Sequence, residues 1–142
     1  MNERLQDMAE PQLMLERLLR AIGDHDLEAL VACFAEDYEN ETPAHPARGF
    51  RGKAQVRRNW EQIFTFVPDL RVEVTRSAVD GDVIWTEWDM TGTRPDGSAH
   101  CMRGVVMFGV NGGIARWARF YLEPVDLSDT TVDDAVREQV VR

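Results

Sequence analysis

The sequence predicts an α+β domain in which three N-terminal helices are followed by a four-stranded antiparallel meander that curls around them. Two observations carry this reading. Apolar residues recur with a helical period as far as Val67, and immediately after Pro68 the period changes to 2. A third, the length of 142 residues, allows one core and not two, burying about two-thirds of the unfolded chain's surface.

The first helix is marked by Leu15, Leu18, Leu19 and Ile22 on one stripe, with Pro11 near its first turn and Gly23 where a left-handed C-terminal residue would sit. The second repeats the template in Leu27, Leu30, Val31 and Phe34, introduced by Asp24 and Asp26, either of which suits an N-cap. Thr42-Pro43-Ala44-His45-Pro46 forbids a continuing helix, so a short strand around Tyr38 to Glu41 ends there in a loop. From Gly52 a third helix runs with Val56, Trp60, Ile63, Phe64 and Val67 on one face until Pro68 stops it. Arg57 and Arg58 lie on its opposite, solvated face. Leu70, Val72 and Val74 then alternate with polar residues, and Asp80-Gly81 signals a hairpin. The next strands are 83–93, 100–110 and 114–123, separated by the turns Arg94-Pro95-Asp96-Gly97 and Asn111-Gly112-Gly113. Residues 126–142 form an acidic tail with a short helix near Thr131 to Val140, leaving 8–125 as the domain.

A net charge of −9, from 25 acidic and 16 basic residues, sets the chain against a phosphate backbone, so nucleic acid is not an expected partner. Apolar runs of only four or five residues, as at 105–108, give no membrane span. The opening MNERLQDMAE has neither an apolar core nor a basic leader, so a cytoplasmic location is expected. Cys33 and Cys101 lie in apolar segments without metal-ligand spacing and read as small buried hydrophobes; no metal or cofactor is expected. Glycine-rich phosphate loops, nucleophile elbows and zinc-protease helices are absent from the sequence.

Gly23-Asp24-His25-Asp26-Leu27, Phe34-Ala35-Glu36-Asp37, Gly49-Phe50-Arg51-Gly52-Lys53 and Asn111-Gly112-Gly113-Ile114-Ala115-Arg116-Trp117, in this order, resemble the SnoaL-like branch of the nuclear transport factor 2-like superfamily over roughly residues 10 to 123. The resemblance implies a cystatin-like α+β roll: a cone-shaped curved antiparallel sheet and helices around one deep pocket, with a homodimer through the sheet's other side. It also implies a small hydrophobic ligand. Relatives include ketosteroid isomerases, limonene-epoxide hydrolases and polyketide cyclases, so the fold does not choose the reaction.

Matched residue by residue, the isomerase base, oxyanion tyrosine and protonated aspartate fall on Thr42, Leu18 and Val106, which leaves all three roles empty. The late-strand aspartate of the epoxide hydrolases aligns with Arg119, and their early-strand tyrosine and asparagine with Asn40 and Thr42. Their arginine and first carboxylate fall near Trp88 and Met90, or on Glu87 and Asp89 with a one-residue slip. The cyclase histidine after Gly92-Thr93 is replaced by Arg94, and the last strand offers Arg119 and Glu123 in place of aspartate. Asp89, Asn40 and Arg119 would then form a rearranged polar group.

In the family register Trp117, Arg119 and Tyr121 face inward from the last strand, and His100, Met102, Gly104, Val106 and Phe108 from the strand before it. Segment 83–93 admits two registers, Trp85/Glu87/Asp89/Thr91 or Ile84/Thr86/Trp88/Met90, and the acidic face is taken as inward. The candidate catalytic residues are therefore Arg119, to polarise an oxygen, and Asp89 or His100, to move a proton. The opposing readings are an ion pair of Arg119 with Glu87 or Asp89, and a merely hydrogen-bonded His100. Asn40, Trp60, Trp85, Glu87, Trp88, Met102, Val106, Phe108, Trp117 and Tyr121 are the candidate ligand contacts, the tryptophans equally suiting a core or a dimer interface. His45 reads as a lid or simply a loop residue. Together these residues suggest a pocket for a largely apolar oxygenated molecule, polyketide- or terpenoid-like, with isomerase, cyclase or epoxide-hydrolase chemistry. The alternatives are a non-catalytic binding module and a dimerising domain whose cone is filled.

Overall fold

The alternation that begins after Pro68 builds two-thirds of a curved six-stranded sheet, and the helices that precede Pro68 pack against one face of it. A computed structural model describes residues 9–141; Met8, where the domain was expected to start, and Arg142, at the end of the tail, lie outside the described residues. The elements are α1 (Glu10–Gly23), α2 (Leu27–Val31), β1 (Phe34–Glu41), a 3-10 turn (Pro46–Arg48), β2 (Phe50–Arg51) and α3 (Lys53–Phe66). They are followed by β3 (Arg71–Asp80), β4 (Val83–Thr93), β5 (Ala99–Asn111), β6 (Ile114–Pro124) and α4 (Val132–Val140). The sheet order is β2-β1-β6-β5-β4-β3. The α+β class and the antiparallel meander are as expected, but the sheet is mixed, because β1 runs parallel to β6.

α1 buries Leu15, Leu18 and Ile22 of the predicted stripe together with Met14 and Ala21, and leaves Leu19 half-buried. The left-handed residue expected at Gly23 is instead His25, at φ 51°. Its ring stacks on Phe64 with centroids 4.5 Å apart, and its Nε2 lies 3.3 Å from the Leu70 carbonyl oxygen, contacts that offset the backbone strain. Asp26, not Asp24, caps α2, accepting from the Ala29 amide at 3.1 Å. α2 ends at Val31, and Phe34, read above as its last apolar residue, opens β1; burial asks for an apolar side chain in either element. α4 is capped by Thr131 and buries none of its residues.

The core lies between α1 and the inner faces of β4, β5 and β6, where Ile84, Val106, Phe108, Val110 and Ala118 are fully covered. Cys33 is buried and Cys101 half-buried, and both are free thiols. Among the described residues no helix is long and apolar enough to cross a membrane.

Two registers determine what faces inward. In β6, Ala115 pairs with Val110 and Trp117 with the adjacent Gly109, so Arg116 is an extra residue that reverses the alternation. Ala118, Phe120 and Leu122 consequently face the helices, while Trp117, Arg119 and Tyr121 face outward, contrary to expectation. The Trp117 indole covers Gly109, where a Cβ would overlap the ring. In β4 the inward set is Ile84, Thr86, Trp88 and Met90, all at most 4% exposed. Trp85, Glu87 and Asp89 therefore face outward, again the reverse of the register chosen above. Burying two carboxylates costs far more than burying Thr86 and Trp88, whose polar atoms are satisfied locally. The Thr86 hydroxyl donates to the Val106 carbonyl at 2.7 Å and accepts from Trp88 Nε1 at 2.6 Å.

Gly109→Ala is expected to destabilise the protein by about 1–3 kcal/mol through overpacking. In a Trp117→Ala background most of that loss should disappear, because the side chain that excludes the methyl is gone. Denaturant unfolding of the four-member cycle checks this; strictly additive effects would contradict the packing described.

Candidate functional site

Inward-facing residues near the ends of β4 and β6 and the start of β5 meet α3, β1 and the 42–50 loop around a cavity of about 370 Å³, within the ~300–1,000 Å³ usual for small-molecule sites. Its walls are apolar: Phe34, Trp60, Ile63, Met90, Met102 and Phe120 supply most of them. The polar lining consists of Tyr38, Asn40, Thr42, Arg48, Asn59 and His100, and no Asp or Glu contributes to it.

β1 supplies a directed hydrogen-bond chain. Tyr38 donates from its hydroxyl to Asn40 Oδ1 at 2.8 Å, and Asn40 Nδ2 donates to Thr42 Oγ1 at 3.5 Å. Residues two apart on a strand share a face, which puts these groups in line. Burial raises the Tyr38 phenol well above its ordinary pKa, so it stays protonated and donates. On α3, Arg58 Nη2 donates to Gln55 Oε1 at 2.5 Å, and Gln55 Nε2 donates to Asn59 Oδ1 at 2.7 Å. Arginine accepts no hydrogen bond, so this sequence fixes the Asn59 amide with its oxygen occupied and its NH₂ unspent.

His100 lies at the start of β5, and its Nε2 is buried without a hydrogen-bond partner among the described residues. Desolvation, and secondarily the charge of Arg94, hold the imidazole below its ordinary pKa. The ring is neutral at pH 7 and acts as a donor or acceptor according to its tautomer.

A family model described as the SnoaL-like domain matches residues 15–120. The chain belongs to this family. No curated protein matches the sequence. Among similar solved structures is a Mycobacterium tuberculosis protein in complex with estradiol-17β-hemisuccinate, 21% identical over 84% of this chain and 96% of that one, with a TM-score of 0.70. An LEH-like epoxide hydrolase from M. tuberculosis is 19% identical over 80% of this chain and 83% of its own, with a TM-score of 0.69. A putative ketosteroid isomerase from Kribbella flavida is 20% identical over 94% and 88% respectively, with a TM-score of 0.66. At these identities the likeness is one of nuclear transport factor 2-like fold, not of reaction.

Within this SnoaL-like domain the cavity brings together four of the predicted residues: Asn40, Trp60, His100 and Met102. Trp88, Val106 and Phe108 face the same way but are core residues and do not line it. The others lie on the outer face. Arg119 is held by Glu41, its partner across β1, at 2.8 Å, so its ion pair is with neither Glu87 nor Asp89. Asp89 lies 3.4 Å from Arg103, and Glu87 accepts from the Thr75 hydroxyl at 2.8 Å. Trp85 and Tyr121 are 45% and 43% exposed. His45 pairs with Glu123 at 2.7 Å, tying the 42–50 loop to β6, and Arg57 pairs with Glu28. Among the described residues no three His, Cys, Asp or Glu side chains are grouped to hold a metal.

The sequence reading passed over Tyr38, Arg48 and Asn59. Tyr38 had a signal: a tyrosine two residues before Asn40 is the tyrosine–asparagine pair that the epoxide-hydrolase resemblance had placed at Asn40 and Thr42. Asn59 also had one, lying beside Trp60 on α3. Arg48 had none, since loops have no period.

Because the folded pKa of His100 lies below the ordinary value of about 6.5, the unfolded chain takes up this proton first. Its contribution to stability is intact at pH 7.5 and is lost as pH falls from about 6.5 toward the lowered folded value. Melting temperatures at pH 7.5, 6.5 and 5.5 should therefore fall more steeply for wild type than for His100→Gln. Parallel curves would show that the imidazole is not held in its neutral form.

Proposed function

We propose that the protein binds a small, largely apolar, oxygenated molecule of polyketide or terpenoid type in the cavity between α3 and the sheet. The observation that carries this reading is an apolar cavity of about 370 Å³ lined in part by His100, whose Nε2 is buried without a hydrogen-bond partner among the described residues. A ligand oxygen or hydroxyl at that nitrogen would relieve an unmet polar group, a gain unavailable to a purely hydrocarbon ligand. The complex of a similarly folded protein with estradiol-17β-hemisuccinate supports a ligand of this size and character. Any proton transfer in the cavity falls to His100, the one lining side chain that ordinarily titrates near neutrality. Epoxide-hydrolase chemistry through Asp89 and Arg119 has no support, since both lie on the outer face. The reading is a binding site first, with acid/base isomerase or cyclase chemistry limited to a single imidazole.

The outer face supports a homodimer as the partner arrangement. Trp85 and Tyr121 are exposed there, Val105 and Met107 lie between them in the register, and both signs of charge surround them in Arg76, Arg103, Glu87 and Asp89. A two-fold axis through such a patch sets apolar against apolar and allows opposite charges to meet.

Thermal-shift screening against ketones, lactones, epoxides and carboxylates on ring systems tests the first reading. A ligand at about 100 times its Kd adds ~2.7 kcal/mol of stability, a rise on the order of 10 °C. Met102→Trp, which fills the cavity from β5, should abolish that rise. No shift with any class, or an equal shift in the variant, would overturn the site. For the dimer, light scattering at micromolar concentration should give twice the chain mass for wild type and the chain mass for Trp85→Glu. A monomeric wild type would refute it.

A further inference from the structure

The polar rim of the cavity differs in kind from the surface around it. The chain carries a net charge of −9, yet no carboxylate lines the cavity, and Arg48 is among its lining residues. Among the described residues Arg48 forms no ion pair, as holds also for Arg17, Arg20, Arg58, Arg71, Arg94, Arg116 and Arg137, but of these arginines it alone lines the cavity. Arg48 sits in the 3-10 turn that begins at Pro46, closed by the Arg48 amide donating to the His45 carbonyl at 2.9 Å. The 42–50 loop is anchored to β6 by His45 and Glu123, so its backbone is held in place before any ligand arrives.

The uncharged rim groups are biased the same way. Asn59 has its oxygen taken by Gln55, and Asn40 its oxygen by Tyr38. Thr42 already accepts from Asn40, which leaves its hydroxyl proton to donate. Unspent donors remain in the Asn59 NH₂, the Thr42 hydroxyl and the N–H groups of Arg48, while each amide or hydroxyl oxygen keeps a single further lone pair. Several donors and a cation, with no carboxylate among the lining residues, favour an oxyanion at the rim over a ligand amine.

We propose that the ligand is an apolar carboxylate, its hydrocarbon body against Trp60, Met90, Met102 and Phe120 and its carboxylate at the rim on Arg48, Asn59 and Thr42. This rests on the binding reading above and narrows it. Selectivity is achieved against the field of the whole protein, which repels anions, so a measured preference for the acid reports the rim itself.

Fluorescence titration with 1-pyrenebutanoate and its neutral counterpart 1-pyrenebutanol separates the two levels. Wild type should bind the acid about five- to tenfold more tightly than the alcohol, the range set by one solvent-accessible charge pair with hydrogen bonds. The preference should shrink as salt rises from 50 to 500 mM, since the rim is exposed. Arg48→Gln should weaken binding of the acid by more than that of the alcohol and so remove most of the preference, and Arg48→Lys should restore part of it. Equal binding of the two probes, or a preference that survives in Arg48→Gln, overturns the carboxylate assignment and leaves the binding site standing. Failure of both probes to bind, or binding of both undiminished by Met102→Trp, removes the site and the assignment with it.

Discussion

β6 runs through the middle of the sheet, bonded to β1 on one side and β5 on the other, and along its length one residue has no opposite number. Because side chains alternate with period 2, the extra residue at Arg116 exchanges the two faces of everything beyond it. Ala115 still faces the helices, but so does Ala118, and both are fully buried. The cavity receives Phe120 and Leu122 as a result, and Arg119 emerges opposite Glu41, where a neighbouring strand supplies its counter-charge. Gly109 permits the arrangement, since the Trp117 indole occupies the space that any other residue's Cβ would need.

The same economy of charge fixes β4. Either alternation offered a tryptophan to the core, Trp85 or Trp88, so hydrophobicity alone did not separate them. The difference lies in what comes with each: Glu87 and Asp89 with the first, Thr86 with the second. A hydroxyl between a carbonyl and an indole N–H satisfies its own hydrogen bonds inside the sheet, while two carboxylates would need cations that the core does not contain. Outside, Thr75, Arg76 and Arg103 are available to them.

These two strands mark the boundary of what the sequence could disclose. The helices, the turns and the meander follow from period and punctuation, and the inward face of β5 follows as well, because His100 to Phe108 contains no bulge. A bulge leaves no mark on a single sequence; Arg116 differs in nothing from an ordinary outward arginine. The roles assigned to Arg119 and Asp89 required them to point inward, and they were attached to strands whose phase was read without it. Asn40 and Trp60 were legible because a stiff helix and a strand ending at Thr42-Pro43 constrain their directions. Arg48 was not, since its place at the cavity depends on how the 42–50 loop folds back between β1 and β2, a non-local fact.

With the charged candidates outside, the chemistry available to the cavity is narrow. Acid and base need two groups whose pKa values are pushed apart by their environments. The lining provides a phenol held protonated by burial and committed to Asn40, and a neutral imidazole whose Nε2 has no partner among the described residues. The phenol's proton is engaged in orienting β1's hydrogen-bond chain, and withdrawing it would leave a buried phenolate beside an amide oxygen. That makes Tyr38 a positioning group and leaves His100 to act with whatever polar atom the ligand itself brings. A ligand with its own ionisable oxygen therefore completes the site chemically as well as sterically, and a wholly neutral one leaves a lone imidazole without a counterpart.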